Sequence, residues 1–187
     1  MFIFKKRFSS ALEIAQLGNP VLRQKAALVA NVQDEAIQHL INQLIATAEK
    51  YKGVGIAAPQ AGQSHRLLII ASYPSERYPH APNMAPTPMI NPSIIDHSKE
   101  IEKDWEGCLS IPGIRGLIPR YQSVEVEYLD RSGYGRKQIL SGFIARIFQH
   151  EYDHLEGKVF LDRIANTQEI MTEFEYQKQI VRQDGTR

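Results

Sequence analysis

Gln149-His150-Glu151-Tyr152-Asp153-His154-Leu155 lies within a largely apolar stretch that reads as a helix. On a helix, residues four apart share a face one turn apart, so His150 and His154 can grip one metal ion between them. Glu151 then stands next to the ion rather than on it. The helix carries its own boundary signals, with Ser141 as a cap, an apolar run from about Gly142, and Gly157 just past the end. Phe143 and Ile147 fall on the His150 face, where they should form a dry wall beside the metal. Two histidines and a glutamate on a merely solvated face would not call for that wall.

A catalytic metal site usually takes three protein ligands and leaves one position open, so a third ligand is required. Glu173 and Glu175 lie downstream, and Cys108 lies upstream in Glu106-Gly107-Cys108-Leu109-Ser110. A lone cysteine is more often a small buried hydrophobe than a ligand. Here Gly107 permits close backbone approach, and the preceding segment is polar rather than an apolar strand. A Cys-His-His set suits zinc and iron alike. A third stretch, Gly53-Val54-Gly55-Ile56-Ala57-Ala58-Pro59-Gln60, pairs two glycines with a polar amide. Without a Lys-Ser/Thr pair it is no phosphate loop. It reads either as a tight helix-to-strand turn or as a loop whose Gln60 amide donates to a developing oxyanion.

Around these stretches the 187 residues have ordinary globular usage, 43% hydrophobic and 23% charged, enough to bury a core without disulfide staples. Lys plus Arg number 22 against 21 Asp plus Glu, which argues against the basic face of a sequence-specific nucleic-acid binder. No apolar run is long enough to span a bilayer, and Met1 to Leu12 has a basic cluster at Lys5, Lys6 and Arg7 without the apolar core of a secretory signal. The single cysteine, Cys108, suits a reducing cytosol. One domain over 1–187 is expected, with a polar tail at 177–187 that frays.

Apolar spacing predicts a helix over Asp34–Lys50 and a buried strand at Leu67–Ala71. Six prolines between Tyr73 and Pro92 predict a loop there. Val124–Leu129 and Arg136–Leu140 read as a hairpin around Ser132-Gly133-Tyr134-Gly135. A last helix is expected from near Asn166, with Glu169 completing its cap and Ile170, Met171 and Phe174 buried.

Taken together, the glycine-rich stretch ending in Gln60, the Glu106-Gly107-Cys108-Leu109-Ser110 stretch and Gln149 to His154 resemble the signatures of the peptide deformylase family, in the same order. Leu17 to Arg23 and Val159 to Arg163 are also similar to that family. The resemblance implies an α+β fold of mostly antiparallel sheets packed around a central helix that carries the H-E-x-x-H motif. It implies removal of the formyl group from the N-terminal formyl-methionine of new polypeptides, releasing formate. It further implies Cys108, His150 and His154 as ligands of one divalent metal, Fe(II) first, with Ni(II), Co(II) or Zn(II) as substitutes. Glu151 is then the general base, and the Gln60 amide and the Leu109 N–H serve the oxyanion.

On that reading Phe143 and Ile147 line the methionine pocket, while the backbone of Gly53, Val54, Gly55, Ile56 and Gly107 pairs with an extended peptide. Glu106 and Asp153 are candidate acceptors for the outer N–H of the metal-bound histidines. Arg115 and Arg120 hold Glu106 or meet the peptide. The partners are N-formylmethionyl nascent peptides and the ribosome near its exit tunnel, through a C-terminal helix bearing Lys178, Arg182 and Arg187. No membrane is involved, and the setting is a bacterial-type cytoplasm or an organelle with such translation. Two rival readings stand beside this one. A zinc endopeptidase would draw its third ligand from the downstream glutamates, and a silent homologue would bind formyl-peptides without cleaving them.

Overall fold

The computed structural model of the protein describes residues 10–74 and 81–181. The first helix, α1 (Glu35–Lys50), starts where the Asp34 carboxylate accepts from the Ala36 N–H at 2.8 Å. Its buried face, Ile37, Leu40, Ile41, Leu44 and Ala48, repeats at helical spacing. Then come β1 (Gly55–Ala57) and β2 (Leu67–Ser72), every residue of which is buried. The reason is that helices cover both sides of β2. Leu67 and Ile69 enter the apolar cluster with α1, while Leu68 and Ile70 point the other way, into the cluster of the central helix.

Five antiparallel strands form the larger sheet in the order β1-β2-β3-β6-β7, with β3 at Met84–His97, β6 at Ser123–Leu129 and β7 at Gly135–Ser141. A smaller antiparallel sheet is ordered β4-β5-β8, with β4 at Ile101–Cys108, β5 at Ile111–Tyr121 and β8 at Ile170–Thr172. The helix α2 (Gly142–Leu155) packs on β1, β2 and β7 of one sheet and on β5 of the other. Ser141 occupies the cap position of α2 without a capping bond, and Gly157 comes just after the helix at φ 71°. A side chain at Gly157 would also strike the Arg23 backbone, its Cβ coming within 2.9 Å. Among the described residues no helix is long and apolar enough to cross a membrane.

Two expectations are corrected. The second half of the proline-rich stretch is strand, not loop: β3 contains Pro86, Pro88 and Pro92. Pro86 and Pro88 lie where β3 pairs with β2 alone, before β6 joins it at Ile90, so one side of the strand asks for no N–H donors. Pro92 falls at a register break between Ile90 and Ser93. Residues 75–80 of that stretch lie outside the described residues, as do residues 1–9 and 182–187.

The expected last helix is likewise different. Asn166 does cap, accepting from the Gln168 N–H at 2.9 Å, but it starts only a single 3-10 turn, Thr167–Glu169. The chain then runs extended as β8 along the open edge of β5, pairing opposite Ile114, Arg115 and Gly116. That edge offers backbone partners which a short isolated helix would have to replace against its nucleation cost. Among the described residues that follow, there are only a four-residue helix, α3 (Glu173–Tyr176), and a π-helical turn at Gln177–Val181, and Phe174 is 74% exposed rather than buried.

Candidate metal centre and substrate groove

The chain brings Cys108, His150 and His154 together, with one ligand atom of each within 4.8 Å of the others. The histidines come from α2, one turn apart, their rings edge-on at 5.3 Å. Cys108 ends β4, beyond a break in the β4–β5 register after Glu106, and its Sγ lies 3.3 Å from His154 Nε2. The Ser110 N–H points at the same sulfur from 3.4 Å. Burial alone would raise the Cys108 thiol, but the His154 and His150 imidazoles pull it well below its ordinary value.

Glu106 fixes His150. Its carboxylate lies 2.8 Å from His150 Nδ1, which leaves Nε2 for an ion. Three guanidinium N–H groups complete its surroundings, Arg120 Nε and Nη2 and Arg146 Nη1, each at 2.9 Å. Burial would push the Glu106 carboxyl up, yet Arg120 and His150 hold it well below the usual carboxylate range. Arg120 also donates to Asp153 at 2.5 Å, and Arg163 holds the other Asp153 oxygen at 2.5 Å. Asp153 therefore reaches His150 only through Arg120 and Glu106. The Nδ1 of His154 has no hydrogen-bond partner among the described residues.

Glu151 has opposite surroundings. It is 5% exposed, and its Oε2 is buried without a partner among the described residues. Burial pushes its carboxyl up to about 7, against the pull of the two imidazoles. Its other oxygen lies so close to Gly55 that a Cβ there would sit 2.6 Å away. Gln60 is 1% exposed; its Oε1 accepts from the Ala57 N–H at 2.8 Å, which turns Nε2 toward Cys108 Sγ at 3.4 Å.

The donor set fits a metal. A thiol drawn toward thiolate, two imidazoles converging with it and a buried carboxylate oxygen without a partner among the described residues are the donors that a divalent ion takes. The downstream glutamates stand outside it. Glu173 pairs with Arg115, and Glu175 accepts from Gln179 at 2.5 Å, so neither is brought to the histidines.

A cavity of about 610 Å³ opens onto this cluster. Gly53, Val54, Gly55, Gly107 and Leu109 line it, as do Phe143 and Ile147 from α2. Ile56 does not: its fully buried side chain joins the α1 cluster. Trp105 and Arg146 line it too, although the sequence pattern assigns them no part. Arg146 had one legible signal, a lone charge among apolar neighbours four residues before His150. The flanking edges of the two sheets, β1 and β4, both border the cavity.

Comparison with known proteins agrees with this geometry. The profile of the Polypeptide deformylase family matches residues 11–169. Peptide deformylase 2 of a Nostoc species is 60% identical over 171 residues, 91% of this chain and 96% of its own. The chain belongs to the peptide deformylase family. Peptide deformylase 2 of Shewanella oneidensis is 47% identical over 81% of this chain and 83% of its own. Among solved structures, the class I type b peptide deformylase of Acinetobacter baumannii with Met-Ala-Ser bound superposes with a TM-score of 0.82 at 42% identity, covering 83% of this chain and 99% of that one. A peptide deformylase from Synechococcus elongatus in complex with actinonin gives 0.76 at 37% identity, covering 90% and 87%. The protein is thus a metal-dependent hydrolase that removes the N-formyl group from nascent peptides, on an α+β fold of antiparallel sheets and a few helices.

Proposed function

We propose that Cys108, His150 and His154 hold one divalent ion, Fe(II) first, with Ni(II), Co(II) or Zn(II) able to replace it, and that Glu151 is the general base. The bound ion would act as a Lewis acid and lower the pKa of water. Glu151 takes a proton from the attacking water and later returns it to the leaving amine. The observation that carries this assignment is the buried, partnerless Oε2 of Glu151 beside the three ligand atoms. A carboxyl near pH 7 suits both directions of that transfer. The Gln60 amide and the Leu109 N–H supply donors for the oxyanion.

The peptide runs extended between the β1 and β4 edges, since backbone pairing reads no particular side chain. Gly55 leaves Glu151 the space it occupies. Methionine enters the apolar part of the cavity beside Phe143 and Ile147. The natural substrates are N-formylmethionyl nascent chains, met in the cytoplasm near the ribosomal exit tunnel. Lys178 is the one residue of the proposed basic docking face within the described residues; Arg182 and Arg187 lie beyond them.

The test is formate release from a formyl-Met peptide by protein purified anaerobically and loaded with Fe(II) or Ni(II), beside Glu151→Ala and Cys108→Ala. Release lost in the first with metal retained, and metal lost in the second, is the expected pattern. Metal retained by Cys108→Ala would overturn the ligand set.

A further inference from the structure

Arg115 is 1% exposed, yet it forms part of the cavity wall. Its guanidinium lies on Gly107, where a Cβ would come within 2.9 Å of Nη1. Gly107 belongs to the β4 edge, along which the extended peptide is proposed to run. The guanidinium is held on its other sides by the C-terminal segment. Because β8 pairs with β5 and places Met171 opposite Arg115, the chain delivers Glu173 two residues later. Glu173 accepts from Arg115 Nε at 2.5 Å and from Nη2 at 3.2 Å, and Gln177 steadies its carboxylate at 2.8 Å. The Tyr176 ring lies 4.9 Å from the guanidinium carbon and leans on Trp105 at 5.8 Å. Trp105, Arg115 and Glu173 all face the cavity.

We propose that Glu173 is a specificity-determining residue, neutralising Arg115 where the peptide leaves the methionine pocket, so that the groove takes the next residues of the peptide with little regard to their charge. A bare guanidinium on this wall would favour acidic residues, and a bare carboxylate basic ones, by Coulomb attraction across a partly solvated gap. Paired in a two-bond fork, each offsets the charge of the other. An enzyme acting on chains of any sequence gains breadth from that neutrality. The inference rests on the extended-peptide reading.

The experiment measures kcat/KM of the metal-loaded enzyme for formyl-Met-X-X-amides, with X as Asp, Ser or Lys, at low ionic strength. In Glu173→Gln the Asp-to-Lys ratio should rise about fivefold to tenfold over wild type, and in Arg115→Met it should fall by a similar factor. Both shifts should shrink in high salt. A ratio unmoved in both variants, or moved the same way by both, overturns the proposal. Failure of the extended-peptide reading shows separately, as equal kcat/KM for formyl-Met-amide and the Ser peptide in the wild type.

Discussion

Two glutamates flank the histidines of α2, each 5% exposed, and the protein treats them in opposite ways. Glu106, on β4, is met by four donors from Arg120, Arg146 and His150 and stays ionised. Glu151, on the helix itself, has one buried oxygen with no partner among the described residues and a carboxyl raised to about 7. Burial is the same, so the difference is made by what else is buried. A carboxylate surrounded by guanidinium groups is fixed in place and in charge, which suits a part that must aim an imidazole. One left without donors keeps its affinity for a proton, which suits a part that must carry one.

The contrast can be broken from either side. The largest effect is expected from Glu151→Ala, about a thousandfold loss of kcat/KM or more with metal content unchanged, read by formate release and metal analysis. Glu106→Gln should cost about 3 kcal/mol in denaturant unfolding, because Arg120 and Arg146 would face an uncharged amide in a dry site. The same variant should bind metal about tenfold to a hundredfold more weakly in chelator competition. If Glu106→Gln instead lost only the chemical step, with stability and metal affinity unmoved, the two glutamates would not differ in kind.

Gly55→Ala sharpens the comparison, since the three heavy atoms nearest its methyl all belong to Glu151, which must shift. It should lower kcat about tenfold to a hundredfold with native metal affinity. The smallest effect is expected from Ile147→Phe, about threefold to tenfold less preference for formyl-Met over formyl-Ala peptides, because it fills the pocket and spares both carboxylates.

The histidine pair was legible from a four-residue spacing, because helix geometry turns that interval into a shared face. The two faces of β2 were latent in an apolar run that conceals which residue points where, until helices cover both sides. Arg146 illustrates what spacing cannot supply. Its bond to Glu106 joins residues 40 apart, and a lone charge among apolar neighbours does not say which carboxylate it meets. The prolines of β3 misled for a related reason. A proline forbids only the hydrogen bond its own nitrogen would make, and whether one was needed there depended on which strand lay alongside.

What the sequence determined by itself is therefore the chemistry: two imidazoles and a carboxyl on one helical turn, a thiol beside a glycine and two residues after a glutamate, and a glutamine after two glycines. These identities and intervals act over distances that the local backbone controls. Only the tertiary structure decided which glutamate is held and which is left its proton affinity, and which carboxylate faces Arg115. Charge and burial are properties of the assembled neighbourhood, and here that neighbourhood is made where α2 packs on β5 and β8 pairs along the edge of β5.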